Sequence, residues 1–184
     1  MGRLLILGAG QYGFVAKEVA EAMGCFSDID FLDDHNEIAI GKLEDLEKTE
    51  YDTAFVAIGN PVVRAQWMQR ISKLATLVHP RAMISPTAVI SEGCIIEAGA
   101  VLSTDVKIGK GTIVMANAVV GHNATVGDCC QLKYNCTIPE NCVVPEQTKV
   151  DCNVVFKDKV TIQRKNKKFI EAEVKNNGVA PGFF

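Results

Sequence analysis

The chain has 184 residues, of which 48% are hydrophobic and 22% charged, and its net charge is -3 at pH 7. This length allows one or two domains, and the composition is that of an ordinary globular protein. The small negative charge argues against nucleic acid as a partner, since phosphate binding needs a positive surface. The sequence has no long apolar run that could span a membrane, and its first residues enter a glycine-rich turn instead of a signal-peptide pattern. We therefore expect a cytoplasmic protein with no membrane partner.

Residues 1–77 alternate short apolar runs with helical patterns, which predicts a small Rossmann-like parallel α/β domain. A first strand, Arg3 to Leu7, leads into a glycine turn and then into a helix with helical apolar spacing, Phe14 to Met23. A second helix should begin at Pro61, which suits a first helical turn, and run to about Lys73. Further strands are predicted at Phe31-Leu32, at Thr53 to Ile58 and at Ala75 to Val78.

The glycine turn reads Gly8-Ala9-Gly10-Gln11-Tyr12-Gly13. Glycines at such a turn let backbone N–H groups approach a phosphate at the helix N-terminus. Asp33 and Asp34 follow the next strand, where an acid can hold a ribose hydroxyl. Because fewer than about eighty residues give only half of a dinucleotide fold, a nucleotide diphosphate fits better than NAD. The alternative is a glycine turn that only packs the helix against the strand.

From residue 78 to 162 every sixth residue is aliphatic or Phe, and the residue four positions later is uncharged. A period of six fits neither an amphipathic helix nor a long strand, so internal repetition governs this region. One hexad can form a short strand and a corner, with both apolar residues pointing inward. The pattern predicts a β-solenoid at residues 78–163, with residues 164–184 as a C-terminal tail. The large residues are Val78, Ile84, Ile90, Ile96, Leu102, Ile108, Val114, Val120, Val126, Leu132, Ile138, Val144, Val150, Phe156 and Ile162.

Four of the seven cysteines occupy the small inward position of their hexads. A free thiol packs at such a position as a small hydrophobe. The chain contains no C-x-x-C pair of the kind that holds zinc. We therefore predict that these cysteines are core residues and not metal ligands. They are Cys94, Cys130, Cys136 and Cys142.

Two histidines lie in the repeat, and they differ in position. His79 stands at its entry beside Pro80, and we expect it to be structural. His122 lies in the middle of the repeat, at an offset that does not face the core. An imidazole suits a general base at neutral pH, so His122 is the candidate for proton transfer. A plain surface histidine is the alternative.

The tail begins with a basic cluster on an acidic protein. Basic side chains beside the last coils could meet the phosphates of a large anionic cofactor. A solvated face is the commoner explanation for such a cluster. Its residues are Arg164, Lys165, Lys167 and Lys168.

Several short motifs taken together resemble one protein family. They are Gly-Ala-x-x-x-Gly at the start, Phe31-Leu32-Asp33-Asp34, Ala57-Ile58-Gly59-Asn60, His79-Pro80 with Ile84-Ser85-Pro86-Thr87-Ala88, and Gly121-His122 with Val126-Gly127-Asp128. This set is similar to the bacterial sugar acetyltransferases that join a small nucleotide-binding domain to a left-handed β-helix of hexapeptide repeats. Members include UDP-4-amino-sugar N-acetyltransferases and sialic acid O-acetyltransferases. The similarity extends over nearly the whole chain, to about Phe156.

The resemblance implies a homotrimer with acetyl-CoA, the co-substrate, in the groove between neighbouring β-helices. His122 would accept the proton of the sugar amine or hydroxyl, with Asn123 directly after it. The N-terminal domain would bind a UDP-linked amino sugar through Gly8, Gly10, Gln11, Tyr12, Gly13, Asp33, Asp34, Gly59 and Asn60. Contacts with acetyl-CoA are expected from Gln131, Glu140, Cys152, Lys165 and Lys167.

The chain departs from the family pattern around the candidate histidine. Asn123 stands where the family has a carboxylate that orients the histidine, and Gln131 stands where a second histidine contacts the acetyl group. Pro139, which has no N–H, falls in the segment that offers backbone donors to the thioester. The leading hypothesis is an N-acetyltransferase acting on a UDP-linked amino sugar. O-acetylation of a sugar and a catalytically weakened sugar-nucleotide-binding protein are the alternatives.

Overall fold

A computed structural model describes residues 2–157, which form a small α/β domain followed by a long parallel β-solenoid. The first domain contains a parallel sheet in the order β2-β1-β3, with helix α1 between β1 and β2. A 3-10 helix, Leu43–Lys48, precedes β3, and helix α2 follows β3. None of the helices in the described range is long and apolar enough to cross a membrane. The bounds are β1 Gly2–Leu7, α1 Gln11–Met23, β2 Phe26–Leu32, β3 Thr53–Val56 and α2 Pro61–Met68.

Several predicted boundaries in this domain are wrong: α1 begins at Gln11 and not at Phe14, β2 begins at Phe26 and not at Phe31, and β3 ends at Val56 and not at Ile58. Helix α2 ends at Met68 and does not continue to Lys73. The chain leaves the helix because the segment after it pairs with Ala54 at the edge of β3: the Ala54 N–H donates to the Lys73 carbonyl, and the Ala75 N–H donates to the Ala54 carbonyl. The strand predicted at Ala75 to Val78 is consequently divided, since its last two residues already belong to the solenoid.

The solenoid contains thirteen two-residue strands in residues 77–150, arranged in three parallel sheets. The domain-facing sheet has the order β16-β13-β10-β7-β4, the second sheet β14-β11-β8-β5 and the third sheet β15-β12-β9-β6. Each strand pairs with the strand three hexads later, so three hexads complete one coil. This architecture confirms the predicted fold. The strands are β4 Leu77–Val78, β5 Met83–Ile84, β6 Val89–Ile90, β7 Ile95–Ile96, β8 Val101–Leu102, β9 Lys107–Ile108, β10 Ile113–Val114, β11 Val119–Val120, β12 Thr125–Val126, β13 Gln131–Leu132, β14 Thr137–Ile138, β15 Val143–Val144 and β16 Lys149–Val150.

The core of the solenoid is the predicted column of inward side chains. The large residues from Ile96 to Val150 are at most 3% exposed, and those nearer the two ends are partly buried. The four hexad cysteines are buried at 0–1% exposure within the solenoid core, which confirms that they are packing residues. Ile162, the last predicted core position, lies outside the described residues.

The corners of the solenoid share a backbone conformation that the hexad analysis did not single out. Every sixth residue from 93 to 153 has a positive φ, between 52° and 73°. Gly, Asn and Asp adopt this left-handed conformation most readily, and nine of the eleven corners carry one of them. The two exceptions, Cys129 and Gln147, stack on one another in consecutive coils.

Corners three hexads apart stack into three edges, joined by backbone hydrogen bonds. Along the His122 edge, the N–H of Asn123 donates to Thr104 and the N–H of Asn141 donates to His122, both at 2.9 Å. We name the other two edges the Arg64 edge, which Arg64 contacts, and the Tyr134 edge, which contains Tyr134. The Arg64 edge contains Lys110-Gly111, Asp128-Cys129 and Glu146-Gln147, and the Tyr134 edge contains Ala116-Asn117, Tyr134-Asn135 and Cys152-Asn153.

The α/β domain packs on the domain-facing sheet and is fixed there by Arg64 of α2. Outward side chains of this sheet, Leu77, Ile95 and Ile113, are at most 1% exposed because they join the core of the α/β domain. The Arg64 guanidinium is fully buried and donates to the carbonyl oxygens of Gly111 at 2.9 Å and Cys129 at 2.6 Å. Its third donor binds the Ile58 carbonyl, at 2.8 Å, beyond the end of β3. One side chain therefore connects both domains.

We predict that Arg64→Met destabilises the protein. The substitution keeps much of the buried volume but removes the donors to three buried carbonyl groups, so the free energy of unfolding should fall by about 3 kcal/mol or more. Denaturant titration followed by circular dichroism measures the change. Arg70→Met is the matched control, because Arg70 is exposed and pairs with Glu47 at the surface, where such pairs contribute about 1 kcal/mol or less. Equal effects of the two substitutions would contradict the assignment.

Candidate functional site

The carboxyl ends of the three strands of the α/β domain bring the predicted nucleotide residues together. Gly8 follows β1, Asp33 follows β2, and the segment Ile58 to Asn60 follows β3. Because β1 is central and the chain continues to β2 on one side and β3 on the other, the switch point of the sheet lies between β1 and β3. Ligands of open parallel sheets bind at this type of crevice.

The three glycines of the turn have different roles. Gly8 has a φ of 101°, which favours glycine. A side chain at Gly13 would place its Cβ 2.1 Å from the Gly8 carbonyl oxygen, so Gly13 is needed for packing α1 against the turn. Gly10 has open space around it and caps α1 without a side chain. The first N–H groups of α1 are therefore without a side-chain cap, as an anion-binding helix N-terminus requires.

Asp33 is bound to the protein's own backbone. One carboxylate oxygen accepts the Ala9 N–H at 2.7 Å, and the other accepts the N–H groups of His35 at 2.8 Å and Asn36 at 3.0 Å. Partial burial opposes ionisation, but these three hydrogen bonds lower the pKa of Asp33 below its ordinary value. The Asp33 carboxylate thus holds the glycine turn in its conformation.

Other polar groups around the crevice also have partners in the protein. Asn36, which the sequence analysis missed, donates from its side chain to the Ala9 carbonyl at 2.6 Å. The side-chain oxygen of Asn60 accepts from Val62 and Val63 and caps α2. Asp34 accepts the Leu43 N–H. Gln11, Gly59 and Asn60 are exposed, so the crevice keeps solvent-facing polar groups on both sides.

Tyr12, a predicted substrate contact, reaches across to the solenoid. Its hydroxyl donates to Glu97 at 2.9 Å, and the other Glu97 oxygen accepts the Ala116 N–H at 3.0 Å. Burial and the neighbouring Glu97 charge raise the pKa of Tyr12 well above its ordinary value, which keeps the hydroxyl a donor. Burial also raises the pKa of Glu97, although the two hydrogen bonds oppose that effect. The pair joins the start of α1 to the domain-facing sheet.

His122 lies at an exposed corner, as predicted from its hexad offset. It precedes Asn123, whose backbone is left-handed with a φ of 58° and whose side-chain amide donates to Asn141 at 3.4 Å. Within residues 2–157 no side chain hydrogen-bonds the His122 ring. His79, in contrast, accepts the Arg81 N–H on Nδ1 at 3.0 Å, which agrees with the structural role expected for it.

The residues predicted to contact acetyl-CoA lie on different sides of the prism. Gln131 is an outward residue of the domain-facing sheet and is 9% exposed. Glu140 is exposed on the His122 edge, one coil after the histidine, and Cys152 is exposed on the Tyr134 edge. A single chain therefore brings only Glu140 close to His122. Lys165 and Lys167 lie outside the described residues.

The residues predicted to bind a nucleotide and His122 also lie on opposite sides of one chain. The α/β domain contacts the Arg64 edge through Arg64 and the region of the Tyr134 edge through Tyr12 and Glu97. These two edges flank the domain-facing sheet. The remaining edge, which carries His122, is opposite that sheet, and it separates the second and third sheets.

Two family models match the chain. Residues 3–71 match the PglD N-terminal domain, and residues 105–140 match the bacterial transferase hexapeptide family with six repeats. These matches confirm the resemblance that the sequence motifs indicate. No protein of curated function matches the chain in sequence.

Solved structures similar to this chain have the same two-part architecture. The acetyltransferase domain of PglB from Neisseria gonorrhoeae in complex with acetyl coenzyme A is 24% identical, with a TM-score of 0.54, and the match covers 83% of this chain and 97% of that one. PerB from Caulobacter crescentus in complex with CoA and GDP-perosamine is 22% identical, with a TM-score of 0.65 and coverage of 86% and 90%. WeeI from Acinetobacter baumannii is 19% identical, with a TM-score of 0.61 and coverage of 82% and 96%. At these identities the likeness establishes the fold, a small α/β domain followed by a left-handed β-helix.

We predict that Glu97 makes stability depend on pH. Because its pKa is raised in the folded protein, the folded state holds this proton more tightly, and the free energy of unfolding falls as the pH rises from the ordinary value of 4.5 towards the raised value. Glu97→Gln removes this contribution, so its stability relative to the native protein should improve between pH 4.5 and neutral pH. Denaturant titrations across this range measure the difference. Glu18→Gln, on the exposed face of α1, is the control; a slope unchanged in Glu97→Gln would contradict the prediction.

Proposed function

We propose that this chain is an acetyl-CoA-dependent N-acetyltransferase that acetylates the amine of a nucleotide-linked amino sugar, with UDP as the expected nucleotide. The hexapeptide-transferase match supports the reaction class. Similar structures contain acetyl coenzyme A, or CoA with GDP-perosamine, which supports the two substrates. The observation that carries the proposal is the exposed His122 on the edge opposite the α/β domain, because it is free to meet a sugar presented by another chain.

The α/β domain holds the nucleotide end of the substrate. The diphosphate binds at the N-terminus of α1, where Gly10 leaves the backbone N–H groups accessible. Asp33 keeps the turn in shape, while Asp34 and the amide of Asn60 face the nucleoside side of the crevice. Binding energy from this remote part of the substrate positions the amino sugar for reaction.

His122 acts as the general base. The neutral imidazole accepts a proton from the sugar amine as the amine nitrogen attacks the thioester carbonyl. A new C–N bond forms, the C–S bond breaks, and the proton reaches the departing thiolate, giving an amide and CoA. Acetyl-CoA supplies only the activated acetyl group. Lys107, on β9 of the third sheet beside the His122 edge, is a cation that can meet its phosphates, together with the predicted contacts Lys165 and Lys167.

The second sheet has the surface expected of a contact between copies of the chain. Its outward positions form an apolar row of one residue per coil, interrupted only by Thr137. Met83 at one end is 68% exposed and Val155 at the other is 55% exposed. Exposed apolar rows of this kind mark interaction surfaces. Because this sheet borders the His122 edge, a homotrimer packed along it places each histidine in a groove between two chains. The row is Met83, Val101, Val119, Thr137 and Val155.

We predict that the purified protein transfers an acetyl group to UDP-linked or GDP-linked amino sugars, as measured by the product mass. His122→Ala should lower kcat about 100-fold to 10,000-fold, the usual contribution of a general base, while nucleotide binding is kept. Lys110→Ala is the matched control, since Lys110 occupies the same hexad position on the Arg64 edge. Acceptors that all stay unchanged although nucleotide still binds would instead favour the catalytically weakened binding protein. Acetylation of a hydroxyl would favour the O-acetyltransferase.

We predict that Val119→Asp on β11 breaks the trimer. The substitution places a charge in the middle of the apolar row, where burying it against another chain is costly. Size-exclusion chromatography with light scattering should show a monomer in place of a trimer, together with loss of transferase activity. Ile40→Asp is the control, because Ile40 is an aliphatic residue that is 56% exposed but lies in the α/β domain. A native protein that is itself monomeric would contradict the assembly.

A further inference from the structure

The His122 edge brings a carboxylate beside the histidine from the next coil. The chain has Asn123 directly after His122, so the sequence neighbour provides no carboxylate to orient the imidazole. Glu140 occupies the same hexad position as His122, three hexads later. The N–H of Asn141 donates to the His122 carbonyl at 2.9 Å, which fixes the two corners directly above one another.

The backbones of these two corners pack closely, with no space for a side chain at Gly121. A Cβ added at Gly121 would lie 2.6 Å from the Glu140 nitrogen and 2.9 Å from the Pro139 carbonyl carbon, so a glycine is required there. Parallel strands are about 4.8 Å apart, and the Cα atoms of His122 and Glu140 are separated by roughly this distance. Both side chains are exposed, so each can change rotamer without disturbing the core.

These dimensions let the Glu140 carboxylate reach a ring nitrogen of His122 by rotation of the two side chains alone. The two side chains are not hydrogen-bonded to each other in the structure, but catalytic hydrogen bonds often form only in the substrate complex. A carboxylate that accepts one ring N–H fixes the tautomer, leaves the other nitrogen free as the base and stabilises the imidazolium that forms.

We propose that Glu140 is the positioning residue of His122 and replaces the carboxylate that is missing at Asn123. This inference rests on the proposed function, in which His122 is the base. It gives Glu140 a role in proton transfer that differs from the acetyl-CoA contact expected from the family resemblance.

The other groups around His122 are less suited to this role. Thr104 lies one coil before the histidine and carries no charge. Asp105 stacks below Asn123, diagonal to the ring, and Lys107 lies further along on β9. Asp105 is therefore the only competing carboxylate on this edge among residues 2–157, and it provides a direct comparison.

The kinetic test compares Glu140→Gln with two matched carboxylate removals. Glu140→Gln should lower kcat about 10-fold to 100-fold, the loss typical of removing a partner that orients a functional imidazole, and leave KM for both substrates unchanged. Glu146→Gln removes the same side chain at the same hexad position of the Arg64 edge, and Asp105→Asn removes the diagonal neighbour; both should retain native kcat. Adding Asn123→Asp to Glu140→Gln should restore activity, because a carboxylate then follows His122 directly and Asp tolerates the left-handed backbone of this corner.

Two outcomes would overturn the inference. A rise in KM for acetyl-CoA with unchanged kcat would assign Glu140 to cofactor binding, and loss of activity in Asp105→Asn instead of Glu140→Gln would assign the role to Asp105.

A readout independent of turnover separates this inference from the proposed function. In protein labelled with ¹⁵N-histidine, the three histidines give separate ring signals, and His122→Ala identifies the one of interest. In a sample containing CoA and the sugar nucleotide, we expect one dominant tautomer for His122 in the native protein and in Glu146→Gln, and a mixture in Glu140→Gln. If the native protein transfers no acetyl group but the tautomer still depends on Glu140, the proposed function fails while the pairing stands. A tautomer unchanged in Glu140→Gln overturns the pairing.

Discussion

The arrangement of the two domains depends on the buried guanidinium of Arg64. It donates hydrogen bonds to carbonyl groups of its own domain and of two successive coils of the solenoid. A lysine could not serve all three directions at once, since only a planar guanidinium has donors fixed in a fork. Together with the hydrogen bond between Tyr12 and Glu97, it holds the α/β domain against one face of the prism. The residues of the crevice therefore lie on the opposite side of the prism from the histidine of their own chain.

The repeat was predictable because its information is local. Each hexad contributes one strand, one corner and two inward side chains, and each coil contacts only its neighbours, as in other solenoids. The period of the apolar residues consequently predicts the strands, the core and the fate of four cysteines. The corner conformation was readable by the same method, since Asn, Asp or Gly recurs at every sixth residue from 93 to 153, apart from Cys129 and Gln147.

The contacts between domains could not be read in this way. Arg64 meets partners 47 and 65 residues away, and Tyr12 meets Glu97 across 85 residues. Nothing in the local pattern distinguishes Arg64 from a solvated helix residue. The same limitation applies to Asp33, for which the motif indicates a ligand contact whereas the structure shows three internal N–H donors. Helix α2 also ends early for a non-local reason, the pairing of its exit segment with β3.

Position along a β-helix is also position around it, because three hexads complete each coil. One additional hexad between Glu97 and His122 would leave every apolar side chain inward, so the core would accept it. The histidine, however, would turn by a third of a revolution onto the edge that Arg64 occupies, beneath the α/β domain. The solenoid core therefore tolerates length changes in steps of six residues, whereas the locations of His122 and of Cys129, the partner of Arg64, tolerate only steps of eighteen, the register of the paired strands. The number of residues between Glu97 and His122 therefore determines on which edge of the prism the histidine lies.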